Sequence, residues 1–360
     1  MGRSSLHASR RIALVFLLAL LSGFNASPSS AQRAPASKQV VTTPHSAAQP
    51  LSVDDLEHRT FAFFWKTANP ANGLVPDHWP LGKEPFASIA AVGFALTAYP
   101  IGVERGWITR DQARARVLAT LRFFANAPQG PNEDGETGYH GFYYHFLDMQ
   151  QGRRYAKWVE VSTIDTTLLM AGVLFDESYF NGDGRQEREI RKLAETLYRN
   201  VDWNWVQVRP PLIGMGWTPG GHFIPHDWQG YDEAMLLYVL ALGSPTHAVQ
   251  PDAWTAWTAS YDWTWGSFMG GKPHIGFAPL FGHQFSHAWI DFRGIRDAYM
   301  RARDIDYFEN SIRAIVGQRA YAIADPQHFK GYGANVWGLT ASNGPAGVVW
   351  EHNGARIFFH

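Results

Sequence analysis

The sequence predicts an all-α protein built as an α/α toroid, and three observations lead to this fold class. Apolar residues recur at helical spacing through most of the chain after residue 51, whereas alternating strand patterns are scarce. Short loops alternate with long, aromatic and glycine-rich ones, as expected where helices are paired. With 360 residues and 46% hydrophobic content, the chain can form one large core.

About nine helices can be placed, several of them by their capping residues. Ser52 and Thr109 each begin a helix, and Ser162 with Asp165 has the S-x-x-D spacing of a capping box. The predicted helices cover residues 52–68, 88–106, 109–127, 162–180, 186–201, 231–242, 253–260, 281–300 and 305–324. A complete (α/α)6 barrel has twelve helices, so we expect a barrel that is incomplete at its C-terminus.

The first residues have the pattern of an export signal. Arginines precede the short apolar run "IALVFLLALLSGF", and small residues before Ala31 offer a cleavage site, so residues 1–31 are predicted to be a signal peptide. Residues 32–50 are rich in Ala, Pro, Ser and Thr and are predicted to be a disordered lead-in. The absence of cysteine excludes disulfides. We therefore expect a bacterial periplasmic or secreted protein, with no membrane association after cleavage.

Charge and motifs narrow the class of function. The net charge of −1 gives no indication of nucleic-acid binding. The sequence contains no GxxxxGK, no GxSxG and no cysteine nucleophile, which argues against nucleotide chemistry and serine hydrolysis and predicts no cofactor. The aromatic content of 14% fits either a large core or sugar-stacking subsites, and composition alone leaves both open.

Three acids are candidates for catalysis. Glu160 follows Trp158 just before the predicted cap, where partial shielding can raise a carboxyl pKa and produce a general acid; a solvated loop acid is the alternative. Asp232 and Glu233 open the predicted helix 231–242, either as caps or as catalytic carboxylates. The loop before them is crowded with potential substrate-binding side chains: Trp217, His222, His226, Trp228 and Tyr231.

Two further groups are predicted to line a substrate groove. His283, His287 and Asp291 are spaced i, i+4 and i+8 and would form one stripe of the predicted helix 281–300. The glutamate of an HExxH motif is missing, so no metal site is predicted there, and Arg293 and Arg296 are expected to pair with nearby acids. In the loop before Glu160, the groove wall would be formed by Tyr144, His145 and Asp148.

Paired carboxylates among aromatic residues are what glycoside hydrolysis requires. Several segments resemble the bacterial glucoamylase-like domain, in family order between residues 51 and 346. They are "TFAFFWKTANPANGLVPD", "SIAAVGFALTAYPIGVERGWIT", "GFYYHFLDMQQGRR", "EVSTIDTTLLMAGVLF", "GYDEAMLLYVLALGSPTH" and "APLFGHQFSHAWIDFRG". The chain is similar to glycoside hydrolase family 144, the endo-β-1,2-glucanases, and to the transglycosylase domain of cyclic β-1,2-glucan synthases.

The resemblance implies an (α/α)6 barrel, a β-1,2-glucan substrate and carboxylate catalysis without metal. It places the catalytic acids at Glu160, with Asp165 behind it, and at Glu233, and it makes Asp232 a cap. Glu160 is expected to be the acid and Glu233 its partner. Residues 347–360 depart from the family pattern and are expected to be a divergent or truncated tail. A transglycosylase, a glucan-binding protein without catalysis and a polysaccharide lyase are the alternatives.

Overall fold

Residues 52–81 and 85–340 are described in full by the computed structural model, together with the backbone of two strands within residues 349–358. The predicted signal peptide and lead-in lie outside the described residues. Within the described part of the chain, no helix is both long and apolar enough to cross a membrane.

Nine α-helices form the framework of the described chain, and most begin where the capping residues predict. Ser52 accepts a hydrogen bond from the Asp55 amide, and Thr109 forms a reciprocal capping box with Gln112. The helices are α1 (Val53–Thr67), α2 (Ile89–Glu104), α3 (Arg110–Ala125), α4 (Thr163–Tyr179), α5 (Arg185–Asn200), α6 (Met235–Gly243), α7 (Asp252–Thr258), α8 (Ala298–Ala302) and α9 (Tyr307–Ala324).

Short strands occur in the long loops, so the all-α prediction is wrong in this respect. They are β1 (Phe86–Ser88), β2 (Gly138–Tyr139), β3 (Phe142–Tyr144), β4 (Phe146–Asp148), β5 (Val161–Ser162), β6 (Gly216–Thr218), β7 (His222–Phe223), β8 (Trp265–Gly266), β9 (His274–Ile275), β10 (Val349–His352) and β11 (Ala355–Phe358). An antiparallel sheet has the order β2-β3-β5-β6-β7, while β1-β4, β8-β9 and β10-β11 are separate pairs. Strands of two or three residues are too short to show alternation in a sequence.

Helices α2 and α4 pack backbone to backbone at the centre of the core. A Cβ atom on Gly93 would lie 2.1 Å from the carbonyl oxygen of Leu168, and one on Gly172 would lie 2.2 Å from that of Gly93. Only glycine permits this approach, because any side chain would overlap the opposing backbone. The crossing fixes α4, whose first turn carries Asp165.

The predicted helix 281–300 is not formed. This segment instead makes two 3-10 turns, Leu280–His283 and Phe285–Ala288, before the short helix α8. Tertiary contacts override its helical pattern, since Trp289 donates a hydrogen bond to Thr97 on α2, at 2.9 Å. Gly294 then adopts a positive φ of 75°, which ends any helical continuation. His283, His287 and Asp291 therefore do not form a helical stripe.

Candidate active site

His145 lies between two carboxylates and contacts both of them. Its Nδ1 is 2.9 Å from Oε1 of Glu160, and its Nε2 is 3.4 Å from Oδ1 of Asp165. The side chains of His145 and Glu160 are 29% and 23% exposed, so the cluster is accessible from one side, while Asp165 is buried. Two acids that the sequence singles out are thus joined by a histidine that the sequence places only in a groove wall.

The sheet and the start of α4 bring these three residues together. Strands β3 and β5 pair Tyr144 with Val161, so His145 and Glu160 face each other one position further along, where the His145 amide donates to the Glu160 carbonyl. Asp165 is in the first turn of α4, whose cap Ser162 accepts from the Asp165 amide and donates to its Oδ2 at 2.5 Å. The predicted cap is confirmed, and it orients the Asp165 carboxylate.

Glu233 lies in the turn that leads into α6. That helix begins at Met235, so the prediction that Glu233 occupies its first turn is wrong. Asp232 accepts a hydrogen bond from the Ala234 amide at 2.9 Å and so stabilises the turn. The N-cap of α6 is Ala234, without a side-chain cap, so the prediction that Asp232 caps the helix is wrong. The turn starts at Gly230, whose positive φ of 86° and contact with Ser260 require glycine.

Glu233 interacts electrostatically with Asp165 and His145 of this cluster. Burial raises the pKa of Glu233 to about 8, with Asp165 and Asp232 adding to the rise and His145 opposing it. Burial also raises the pKa of Asp232 to about 7 and that of Asp165. Burial alone would lower the pKa of His145, but Asp165 and Glu160 outweigh it and raise that pKa to about 9. At neutral pH, His145 is therefore a cation and Glu233 holds a proton.

Among the described residues, His145, Glu160 and Asp165 form a group whose spacing would suit a metal ion, with one ligand atom from each within 4.8 Å of the others. A histidine with two carboxylates is a donor set that binds divalent cations. The same atoms already pair with one another, and the imidazolium balances the carboxylate charge. Each of the three side chains therefore has a charged partner within the cluster.

Several aromatic and polar residues named from the sequence connect this region to the core. Trp228 donates from Nε1 to Oγ1 of Thr163, the first residue of α4, at 2.9 Å. The ring of Tyr231 stacks on His283, with centroids 4.8 Å apart. His283 is 1% exposed, and burial lowers its pKa to about 3, so it is a neutral packing residue. His287 contacts Ser311 at 3.0 Å.

The structure does not place all the predicted groove residues at a groove. Tyr144 and Trp217 are buried in the core, where Trp217 packs on Tyr139 and Trp205. Asp148 is saturated by backbone amides, accepting from residues 150, 151 and 153. His222 is exposed at the end of the sheet.

Asp291 is also exposed and pairs with Arg293 at 3.0 Å, while Arg296 pairs with Asp304 at 2.8 Å. The expected arginine pairs are confirmed. The Asp291 side chain is 65% exposed. It lines a surface pocket of about 310 Å³ together with His287 and Arg293, so these residues meet in a pocket although they do not share a helix.

A cavity of about 580 Å³ is lined in part by Tyr231, and it was not predicted from the sequence. Its walls include Trp263, Phe268, His274 and Gln318. The signal for it in the sequence is the long, aromatic and glycine-rich loop 265–283, because long structured loops in a compact domain often carry function.

Comparisons with known proteins agree with this architecture. The family model Glycoamylase matches residues 225–354, a span that includes Glu233. An exo β-1,2-glucooligosaccharide sophorohydrolase of Parabacteroides distasonis is 27% identical over 353 residues, covering 90% of this chain and 46% of the relative. The chain thus spans about half the length of that relative.

Solved structures extend the similarity to the fold. The chain superposes on an endo-β-1,2-glucanase from Chitinophaga pinensis with a TM-score of 0.71 at 26% identity, covering 82% of this chain and 73% of that one. A structure from Bacteroides uniformis, described as a "putative glucoamylase", gives a TM-score of 0.73 at 30% identity and covers 83% and 73% of the two chains. With these matches in sequence and in structure, the chain belongs to the glucoamylase-like family.

Proposed function

We propose that this protein is a glycoside hydrolase that cleaves β-1,2-glucan with the carboxyl groups of Glu233 and Glu160. The observation that supports it is the Glu233 carboxyl, whose pKa burial raises to about 8 and whose charge interacts with His145, the residue that pairs with Glu160. Glycoside hydrolysis needs one protonated and one ionised carboxyl group at the same bond. The names of the relatives supply the β-1,2-glucan substrate of the proposal.

The roles we assign reverse those expected from the sequence. Glu233 is the general acid that donates its proton to the leaving glycosidic oxygen, because its pKa of about 8 keeps it protonated at pH 7. Glu160 is the partner carboxylate, since a 2.9 Å contact with an imidazolium is made by the ionised form. That carboxylate acts on the anomeric carbon, either directly or through a water molecule.

A leaving-group experiment tests these roles. In Glu233→Gln, kcat for the release of oligosaccharides from linear β-1,2-glucan should fall by roughly 100- to 10,000-fold. The variant should retain activity on a dinitrophenyl β-glycoside, because that leaving group needs no protonation. Glu160→Gln should lose activity on both substrates. Asp291→Asn, at an exposed ion pair, is the control. Starch should yield no products. A folded wild-type chain that is inactive on the glucan would contradict the proposal.

We propose endo action as the mode of cleavage, with exo action as the second candidate because one relative is an exo sophorohydrolase. Endo cleavage lowers the viscosity of a long glucan early and gives a ladder of oligosaccharides. Exo cleavage yields disaccharide from the first minutes at nearly constant viscosity. A transglycosylase would instead yield longer chains or rings, so sizing the products of one digest separates the three.

The barrel and the export route complete the proposal. We propose that the helices belong to an (α/α)6 toroid, which the similarity to glucanase structures supports. Residues 1–31 would direct the chain out of the cytoplasm. N-terminal sequencing of protein from a bacterial envelope fraction should give Gln32 as the first residue; a mature protein that retains Met1 would contradict export by this signal.

A further inference from the structure

A continuous series of side-chain contacts runs from the cap of α4 to Glu160. Ser162 holds one oxygen of Asp165, the other oxygen of Asp165 is 3.4 Å from Nε2 of His145, and Nδ1 of His145 is 2.9 Å from Glu160. The His145 ring also stacks on Phe146, with centroids 3.8 Å apart and planes 19° from parallel. Both nitrogens and one face of the ring are therefore fixed.

The backbone of His145 is fixed as well. Its amide donates to the carbonyl of Glu160 at 2.9 Å, and its carbonyl accepts from the amide of Ile89, the first residue of α2, at 3.2 Å. An imidazole held at this many points has one orientation. It can transmit the position of the buried α4 cap to a carboxylate on the open side of the cluster.

We propose that His145 is a positioning residue: Asp165 orients its ring, and the ring holds the Glu160 carboxylate in place for the reaction. The inference rests on the proposed function of Glu160 and gives His145 a role other than contact with substrate. Asp165 and His145 act here as the orienting pair does in hydrolases whose histidine is fixed by a buried carboxylate. If the Glu160 carboxylate is displaced by about 1 Å, the rate of the catalysed reaction falls strongly, because orientation contributes several kcal/mol to catalysis.

Two substitutions separate the contacts of His145. In His145→Asn, the amide nitrogen reaches about as far as Nδ1 and keeps the bond to Glu160; in His145→Gln, it reaches about as far as Nε2 and keeps only the bond to Asp165. With linear β-1,2-glucan we expect kcat to fall less than tenfold in the asparagine variant and roughly 10- to 100-fold in the glutamine variant. KM should change less than about threefold in both, because neither variant removes a substrate contact.

His140→Asn is the matched control. His140 also pairs with a carboxylate beside the same sheet, at 3.3 Å from Asp202, and its positive φ of 53° suits asparagine. This variant should keep the kcat of the wild type. Equal losses of kcat in the asparagine and glutamine variants of His145, or a glutamine variant with wild-type kcat, would overturn the inference.

Ring-nitrogen NMR of the wild-type protein provides a readout that needs neither activity nor a folded variant. Both ring nitrogens of His145 should be protonated and hydrogen-bonded at neutral pH. A neutral ring with one bare nitrogen would overturn the inference even if the chain is active. Suppose that the chain does not cleave the glucan while both ring nitrogens of His145 are found to be hydrogen-bonded. In that outcome the proposed function fails, whereas the contacts assigned to His145 stand.

Discussion

At the scale of single residues, the proton on Glu233 determines how activity depends on pH. Because its folded pKa is about 8, Glu233 is protonated below that value and loses its proton as the pH rises through it. The kcat/KM for β-1,2-glucan should therefore decline above about pH 8, about tenfold for each further pH unit. A pH profile of wild type on glucan measures this limb, and the dinitrophenyl glycoside should lack it. A decline centred near pH 5 would contradict the assignment of Glu233 as the acid.

Asp176 shows the same physics away from the site. This carboxyl on α4 is fully buried, neither of its oxygens has a hydrogen-bond partner among the described residues, and burial raises its pKa well above the usual value. A carboxyl whose folded pKa is raised favours the folded state at low pH, and this contribution is lost as the pH rises above the unfolded pKa of about 3.9.

Asp176→Asn should therefore be more stable than wild type at about pH 8 and nearly equal to it at about pH 4. We expect the Tm at the higher pH to rise by roughly 2 °C or more, since the amide cannot ionise. Thermal unfolding at the two pH values measures this, with Asp291→Asn as an exposed control. A lower Tm for the variant at the higher pH would show that Asp176 is ionised in the fold.

At the scale of elements, caps and apolar periodicity predicted helices α1 to α5 within two residues at each end, because Ser52, Thr109 and Ser162 are local signals. The segment 281–300 was mispredicted, since its conformation depends on long-range contacts such as Trp289 to Thr97. The same limit applies to the site. The sequence identified Glu160, Asp165 and Glu233 as acids of interest, but the β3–β5 pairing that brings His145 onto two of them is set by the fold.

The crossing of α2 and α4 provides a prediction about such a long-range contact. Gly172→Ala would push a methyl group against the backbone of Gly93, and overpacking of this kind costs about 1–3 kcal/mol. Since α4 also carries Asp165, kcat on glucan should fall together with the free energy of unfolding. Denaturant unfolding and kinetics measure both effects. Gly184→Ala is the control, because a Cβ there meets no atom within 4 Å; equal stability of the two variants would contradict the close crossing.

At the scale of the whole molecule, the site draws on three separate parts of the chain. The residues next to the paired strands β3 and β5 supply His145 and Glu160, the start of α4 supplies Asp165, and the turn before α6 supplies Glu233. Its geometry therefore depends on the fold as a unit. A family resemblance, which spans the whole domain, could predict this grouping, whereas no local motif could.

Whether the assembled site only binds glucan or also cleaves it can be decided on the complete chain. The double variant Glu160→Gln/Glu233→Gln removes the reacting groups but leaves the aromatic and backbone framework in place. A ligand at roughly 100 times its Kd stabilises the folded state by about 2.7 kcal/mol. We expect β-1,2-glucan oligosaccharides, but not starch oligosaccharides, to raise the Tm of the inactive variant. A wild type that shows this shift without releasing products would be a binding protein, and a variant that still releases products would place catalysis on other residues.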